Sequence, residues 1–369
     1  MVGSVAQEPT GLLRLQAAAV LAVVLAAHLS LAPNVADPDS FYHLGHAAHY
    51  AAHGILDTSF PWATVSAIRD LGGDLWWGFH VVLIPFSAFG SVTDGIRAAA
   101  FLSTLALAAA VWWVLHRHRV TGAGWWTALF LVAVPNVLFR YVMVRPHVLS
   151  LALALLLLSF LVRGRWWHAL LLSAAITWLH LSLFWMAPGI VVAYALTYLM
   201  ARSEAGPGER LGVPVPAALG AVAVGTLLGA LLRPHPLATA ELAWIQIVRL
   251  SAEKATDRPL VFATELLPLP LPEILQSAWS FLLVWLAAGL VASWWRSSPH
   301  PAPERRLMAA STLIAIVFLL LTVLSARRAL VEFTAFGFLL VPLAWTHLVP
   351  RPVPRAALVV LALLGAVHL

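Results

Sequence analysis

Cysteine is absent from the 369 residues. That absence removes disulfides, thiolate metal sites and cysteine nucleophiles from consideration. Charge is scarce as well: 10% of residues are charged, against roughly 25% in a soluble domain. Lysine is nearly missing, with Lys254 the only one, so the formal charge of +6 is carried by arginine. The arginines form no dense block and recur instead at the ends of apolar runs, which argues against a nucleic-acid partner and suits topology signals. No stretch of soluble-domain size and no internal repeat is evident.

What is present is hydrophobic, 61% of the chain, gathered in runs of about 17 to 25 residues, the length that crosses a bilayer. The sequence therefore predicts an all-α polytopic membrane protein, a single transmembrane domain over residues 1–369. About eleven spans are expected, near residues 12–32, 95–116, 123–140, 145–162, 166–181, 183–201, 213–232, 272–295, 306–325, 328–348 and 354–369. The first has only Arg14 as a positive charge in its leader, so it reads as an uncleaved anchor.

Arginine sets the expected orientation. The connections HRHR (His116–Arg119), RGR (Arg163–Arg165), ARSEAGPGER (Ala201–Arg210), RSSPHPAPERR (Arg296–Arg306) and RPVPR (Arg351–Arg355) are assigned to the cytoplasmic side. All five share that side only if DLWWGFHVVLIPFSAFG (Asp74–Gly90) does not cross. Trp76, Trp77 and His80 at its start and Pro85 within it fit a helix lying in the interface. Residues 33–94 then form a first outer loop with two interfacial helices, and residues 233–271 form a second.

The first loop opens with DPDSFYHLGHAAHYAAHG (Asp37–Gly54), two aspartates and four histidines in an otherwise apolar chain. Asp37 before Pro38 is a helix-start signal, with the carboxylate as the cap, and Gly54 is a stop. At 100° per residue, Asp39, His43, His46, Tyr50 and His53 share one side, with Tyr42 and His49 at its margin, while Phe41, Leu44, Ala48, Ala51, Ala52 and Ile55 lie largely opposite. This predicts an amphipathic surface helix whose polar face is made of titratable groups. Histidine and tyrosine suit an interface without further purpose. Two carboxylates beside an imidazole are costly near lipid and invite a functional explanation.

The order of these features resembles the GT-C superfamily of membrane glycosyltransferases, which includes protein O-mannosyltransferases and the catalytic subunits of oligosaccharyltransferases. The residues that carry the resemblance are ADPDSFYH (Ala36–His43), GFHVVLIPFSAFG (Gly78–Gly90) followed by GIRAAAFLSTLALAAAVWWVLHRHR (Gly95–Arg119), and VRPHVLSLALALLLLSFLVRGRWW (Val144–Trp167), roughly the first half of the chain. The resemblance implies transfer of a sugar from a polyprenyl-phosphate-type lipid to an acceptor outside the membrane, here the plasma membrane of a bacterium, with membrane lipids as surroundings and the acceptor unknown. It places the catalytic carboxylate at Asp37 or Asp39, with His43 beside them; Asp37 is preferred because a cap position lies closest to the membrane end of the first span, with Asp39 in reserve. Phosphate contacts are expected from arginines in the other outer loops: Arg140, Arg145, Arg233, Arg327 and Arg328, accompanied by His147, His235 and Glu332. His46, His80 and His180 complete the expected substrate-binding set, while Glu241 and Glu265 stay unassigned. The loop after the third span is basic where oligosaccharyltransferases carry an acidic metal motif, which favours a metal-independent mechanism. Asp39, His43 and His46 offer the alternative of a divalent metal held by one helix face.

Other classes compete. A transporter or lipid flippase would use intramembrane charge as a pathway, a haem protein would use facing histidines, and an inactive relative of the glycosyltransferases would share their layout.

Overall fold

The computed structural model describes residues 9–59, 66–202, 211–254, 256, 263–294 and 302–348. Its regular structure is entirely helical. In chain order the α-helices are α1 (Thr10–Leu31), α2 (Asp39–His53), α3 (Ala67–Leu71), α4 (Trp77–Leu83), α5 (Val92–Arg117), α6 (Ala123–Val132), α7 (Pro135–Tyr141), α8 (Pro146–Val162) and α9 (Trp166–Leu179). They continue with α10 (Met186–Arg202), α11 (Val215–Leu231), α12 (Pro236–Trp244), α13 (Leu250–Lys254), α14 (Leu271–Trp294), α15 (Ala302–Leu324) and α16 (Leu330–Leu348).

Six helical stretches, built on α1, α5, α10, α14, α15 and α16, are long and apolar enough to cross a membrane, or up to 8 if each of two bent pairs counts as one span. Such helices suit an integral membrane protein. The bent pairs mark where the sequence expectation departs from the structure. The span expected over 123–140 is broken at Pro135, which opens α7, and the chain turns by 99° there. A second turn of 109° follows Leu231. α8 and α9, 17 and 14 residues long, are short for a straight crossing. The span expected over 354–369 lies outside the described residues.

Burial explains why some helices lack a polar stripe. α8 is enclosed by protein, with Leu155, Leu157, Leu158 and Leu161 at 0% exposure, and an enclosed helix can be apolar all round. α16 is similarly buried. Close helix contact comes from small residues, since apolar burial gives little association between helices in lipid. A Cβ at Gly225 or Gly229 of α11 would collide with the carbonyl of Leu170 or Ala174 in α9. The spacing of four places both glycines on one face of α11.

Polar contacts gather at two opposite ends of the bundle. At one, His118 lies 2.9 Å from Ser159 Oγ and 3.5 Å from Glu304, His347 approaches the His118 carbonyl at 2.9 Å, and Arg163 donates to the Arg117 carbonyl. This brings together three of the arginine-bearing connections assigned to one side. The other end joins α2, the turn between α7 and α8, the loop before α14 and the turn before α16.

Single cysteines replacing His53 and Arg165, both exposed, should therefore react with a membrane-impermeant maleimide from opposite faces of a sealed vesicle. Modification of both from the same face would overturn this two-ended arrangement. The Cys-free background keeps the signal clean.

Candidate functional site

α2 runs Asp39–His53 and is capped by Gly54, whose φ of +97° only glycine adopts easily. Its start corrects one expectation. Asp37 makes no side-chain cap; its carboxylate instead takes a paired bond from Arg145, Nε to Oδ2 at 2.5 Å and Nη2 to Oδ1 at 2.9 Å. A guanidinium fork meets a carboxylate more strongly than a neutral N–H does.

The helix also turns opposite to a simple surface helix. His43, His46, His49 and Tyr50 are buried, whereas Phe41, Ala48, Ala51 and Ala52 are exposed. The middle of the titratable face points into the protein, with Leu44 and Ala47 buried beside it, while Asp39 and His53 at the two ends of the helix stay exposed. α4 receives that face. Gly78 lets α4 sit directly on the Trp178 carbonyl at the end of α9, and Trp77 Nε1 donates to the Ile55 carbonyl at 2.7 Å. These contacts position His80 under α2.

Two polar assemblies result. The first is an ion cluster centred on Arg145, which is held in extended backbone by the following Pro146. Besides Asp37, Arg145 reaches Asp39 Oδ2 at 2.7 Å and Glu265 at 3.1 Å, and Arg140 reaches Glu265 at 2.6 Å. One guanidinium thus serves three carboxylates. Burial raises the Asp39 carboxyl above its ordinary range; Arg145 opposes this, while Asp37 and Glu265 add to it. Burial pushes Glu265 up too, but its bond to Arg140 and the charges of Arg140 and Arg145 outweigh that and lower it.

The second assembly is a buried chain. Tyr50 O–H donates to Asp74 Oδ2 at 2.7 Å, His80 Nδ1 lies 2.7 Å from the same oxygen, and His80 Nε2 lies 2.8 Å from His43 Nδ1. The backbone N–H of Trp76 binds Asp74 Oδ1 at 2.9 Å. Burial would raise Asp74, yet the charge and bond of His80, with His46 and Tyr50, carry it down to about 2. Burial, followed by the charges of His80 and Arg145, lowers His43 well below the ordinary imidazole range. His46 stacks on His80 with ring centres 4.6 Å apart and is lowered to about 2, chiefly by burial.

Two cavities open on these groups, of about 890 and 580 Å³. Asp39, Arg140, Arg145, Glu265 and Arg328 line both, so the ion cluster is their common wall. The smaller also exposes His43, Tyr42, Trp76, His147, His180, Trp185, Lys254 and Glu332. Arg327 faces the larger and lies 3.7 Å from Glu273. Arg328 makes no ion pair among the described residues.

Several expected site residues lie elsewhere. Asp37 lines neither cavity. His46 and His80 are sealed behind His43. Arg233 is buried and donates to the carbonyls of Thr177, Trp178, Gly229, Asp74 and Leu75, so it staples backbone instead of facing a cavity. His235 is exposed at the start of α12 with φ of +47°, away from both cavities. The metal alternative regroups. Asp39 is held by Arg145 and His43 by His80; the one convergent set among the described residues is His46, Asp74 and His80, with ligand atoms within 4.8 Å of one another. Within it, the 2.7 Å contact of His80 Nδ1 with Asp74 is that of a proton-bearing hydrogen bond.

Sequence reasoning missed Asp74, Glu265 and Lys254 as site residues. Lys254 donates to the carbonyls of Leu266 and Ser325, clipping two loops over the cavity. Its one available signal was rarity, as the sole lysine of the chain.

No protein-family model matches this sequence, and no curated protein matches it.

Burial of neutral imidazoles has a stability consequence. In the unfolded chain His46 protonates near pH 6.5, whereas in the fold it does so only at about 2. Its contribution is therefore complete above pH 6.5 and declines as pH falls below that, by up to about 1.4 kcal/mol per pH unit for one group. The unfolding temperature in detergent should drop between pH 7 and pH 5, and His46→Gln should flatten that drop. An identical slope in the variant would show that His46 is solvated.

Proposed function

We propose that this chain is a membrane glycosyltransferase of the GT-C type, moving a sugar from a polyprenyl-phosphate-type donor to an acceptor on the outer side of a bacterial plasma membrane. The reading takes the protein to have about eleven crossings, with α8 and α9 as short crossings and each bent pair as one. The observation that carries it is the shared wall, where Asp39, Arg145 and Arg328, together with Arg140 and Glu265, face two adjoining cavities. A transferase needs two substrates to meet at one polar boundary, and this boundary has both basic groups for a phosphate and groups able to accept a proton.

Roles follow from position. Arg328, without an ion pair among the described residues, is the first contact for the donor phosphate. Arg140 and Arg145 supply further charge as the leaving phosphate gains it. The aromatic rings of Tyr42, Trp76 and Trp185 in the smaller cavity offer apolar faces on which a sugar's C–H groups can rest. Asp39, its carboxyl raised by burial and lining both cavities, and His43, facing the smaller one, are the proton acceptors in reach. Asp37, first assigned as the base, has the supporting role of fixing Arg145. No metal is needed for these roles, since Arg145 holds the acidic groups that a cation would use.

Reconstituted protein supplied with radiolabelled polyprenyl-phosphate sugars and a membrane extract as acceptor source should move label from lipid to acceptor. Arg328→Ala should weaken donor binding about tenfold or more, with Arg328→Lys restoring part of it because a point charge lacks the fork. Asp39→Asn should slow transfer with the donor still bound. Movement of solute across vesicles without covalent transfer would replace this reading with a transporter.

A further inference from the structure

The chain Asp74–His80–His43 runs from the buried floor beneath α2 to the wall of the smaller cavity. Asp74, His80 and His43 are 2%, 0% and 4% exposed, so all three are shut from bulk solvent along most of their surface. Burying three titratable side chains is costly unless each has partners, and here the partners are one another. The groups come from two segments, α2 and the stretch around α4, which are joined where Trp77 Nε1 donates to the Ile55 carbonyl just past α2.

With both rings neutral, hydrogen-bond polarity places the protons. An ionised carboxylate only accepts, so His80 Nδ1 carries a hydrogen toward Asp74 Oδ2. With one proton on each ring, His80 Nε2 is then an acceptor, and His43 Nδ1 must donate to it. The lone pair left over is on His43 Nε2. That nitrogen makes no hydrogen bond among the described residues, and His43 belongs to the cavity lining.

We propose that Asp74 and His80 are positioning residues of a buried relay that holds His43 in the Nδ1–H tautomer and makes its Nε2 the proton acceptor of the smaller cavity. This rests on the transferase reading for the identity of the proton, though the tautomer itself does not. In the reaction, the acceptor's oxygen bonds to the anomeric carbon of the sugar while the bond from that carbon to the carrier phosphate oxygen breaks. The electron pair of the broken bond stays on the phosphate, beside Arg328 and Arg145. The acceptor's O–H proton passes to His43 Nε2, and the imidazolium that forms is stabilised through His80 by the Asp74 carboxylate. Tyr50 and the Trp76 N–H hold that carboxylate in place, so no reorganisation is needed when charge appears. Asp39, tied to Arg145, then serves mainly to orient the cluster.

Nitrogen-15 histidine NMR on the protein in lipid nanodiscs tests the relay without any substrate, with His43→Gln assigning the His43 signals by difference. The expected wild-type pattern is a protonated Nδ1 and an unprotonated Nε2, redistributed between the two nitrogens in Asp74→Asn. A wild-type His43 protonated on Nε2, or a pattern unmoved by Asp74→Asn, overturns the relay. If Asp74→Asn does not fold, His80→Asn decides in its place, because it keeps a donor for Asp74 and removes the contact to His43. A zinc ion copurifying in stoichiometric amount and lost in His46→Gln would also overturn it, since metal would then replace the His80 proton. In the transfer assay, His43→Gln and Asp74→Asn should lower kcat by about 10²- to 10⁴-fold with KM for the donor little changed. Absence of transfer by the wild type would refute the transferase reading and leave the NMR result to decide the relay.

Discussion

Arg145 is the constraint on which the polar end of this protein depends. Its guanidinium joins Asp37 and Asp39 at the start of α2 to Glu265 in the loop before α14, three carboxylates from two segments more than two hundred residues apart. Arg145 can do this because Pro146 opens α8 and leaves the arginine in extended backbone just outside the helix. Breaking a buried pair by removing one partner typically costs about 3 to 5 kcal/mol, and here the Asp37 side is buried while the Asp39 side is open. The cluster is accordingly firm at its base and adjustable at its rim.

The histidines obey a different constraint. Lipid offers no hydrogen bonds, so a helix beside it turns its apolar side out and its polar side in. α2 has that arrangement along its middle: Phe41 and three alanines face outward, while His43, His46 and His49 turn inward together with Leu44 and Ala47. A face that would be soluble at an aqueous surface becomes the lining of an interior.

Much of this was legible in the sequence. Asp39–His53 is helical, and His43, His46 and Tyr50 share its buried side, because a period of 3.6 is written in the spacing itself. That Asp39 and the arginines at 140, 145 and 328 face common cavities also agrees with their placement in loops at one end. Periodicity does not say which way a face turns, however, and so the inward burial of His43 and His46 was hidden. The cap assigned to Asp37 failed because a local signal competes with any distant guanidinium, and Arg145 is 108 residues away. Glu265 sits in a proline-rich stretch without period, and Asp74 precedes an apolar helix where a carboxylate looks like an ordinary start signal. Their importance lies in long-range contacts that spacing cannot encode. The same holds for Arg233, an apparent phosphate ligand whose five carbonyl partners come from three separate places in the chain.

The common wall of the two cavities also makes them energetically dependent on one another. A dianion drawn to Arg145 from either side competes with Asp39 and Glu265 for the same donors, and whichever carboxylate is released is more easily protonated and freer to swing. Filling one chamber therefore alters the charge and shape presented to the other. By linkage the effect runs equally in both directions, so two ligands in these chambers would sense each other through a single side chain without any movement of the helices that carry it.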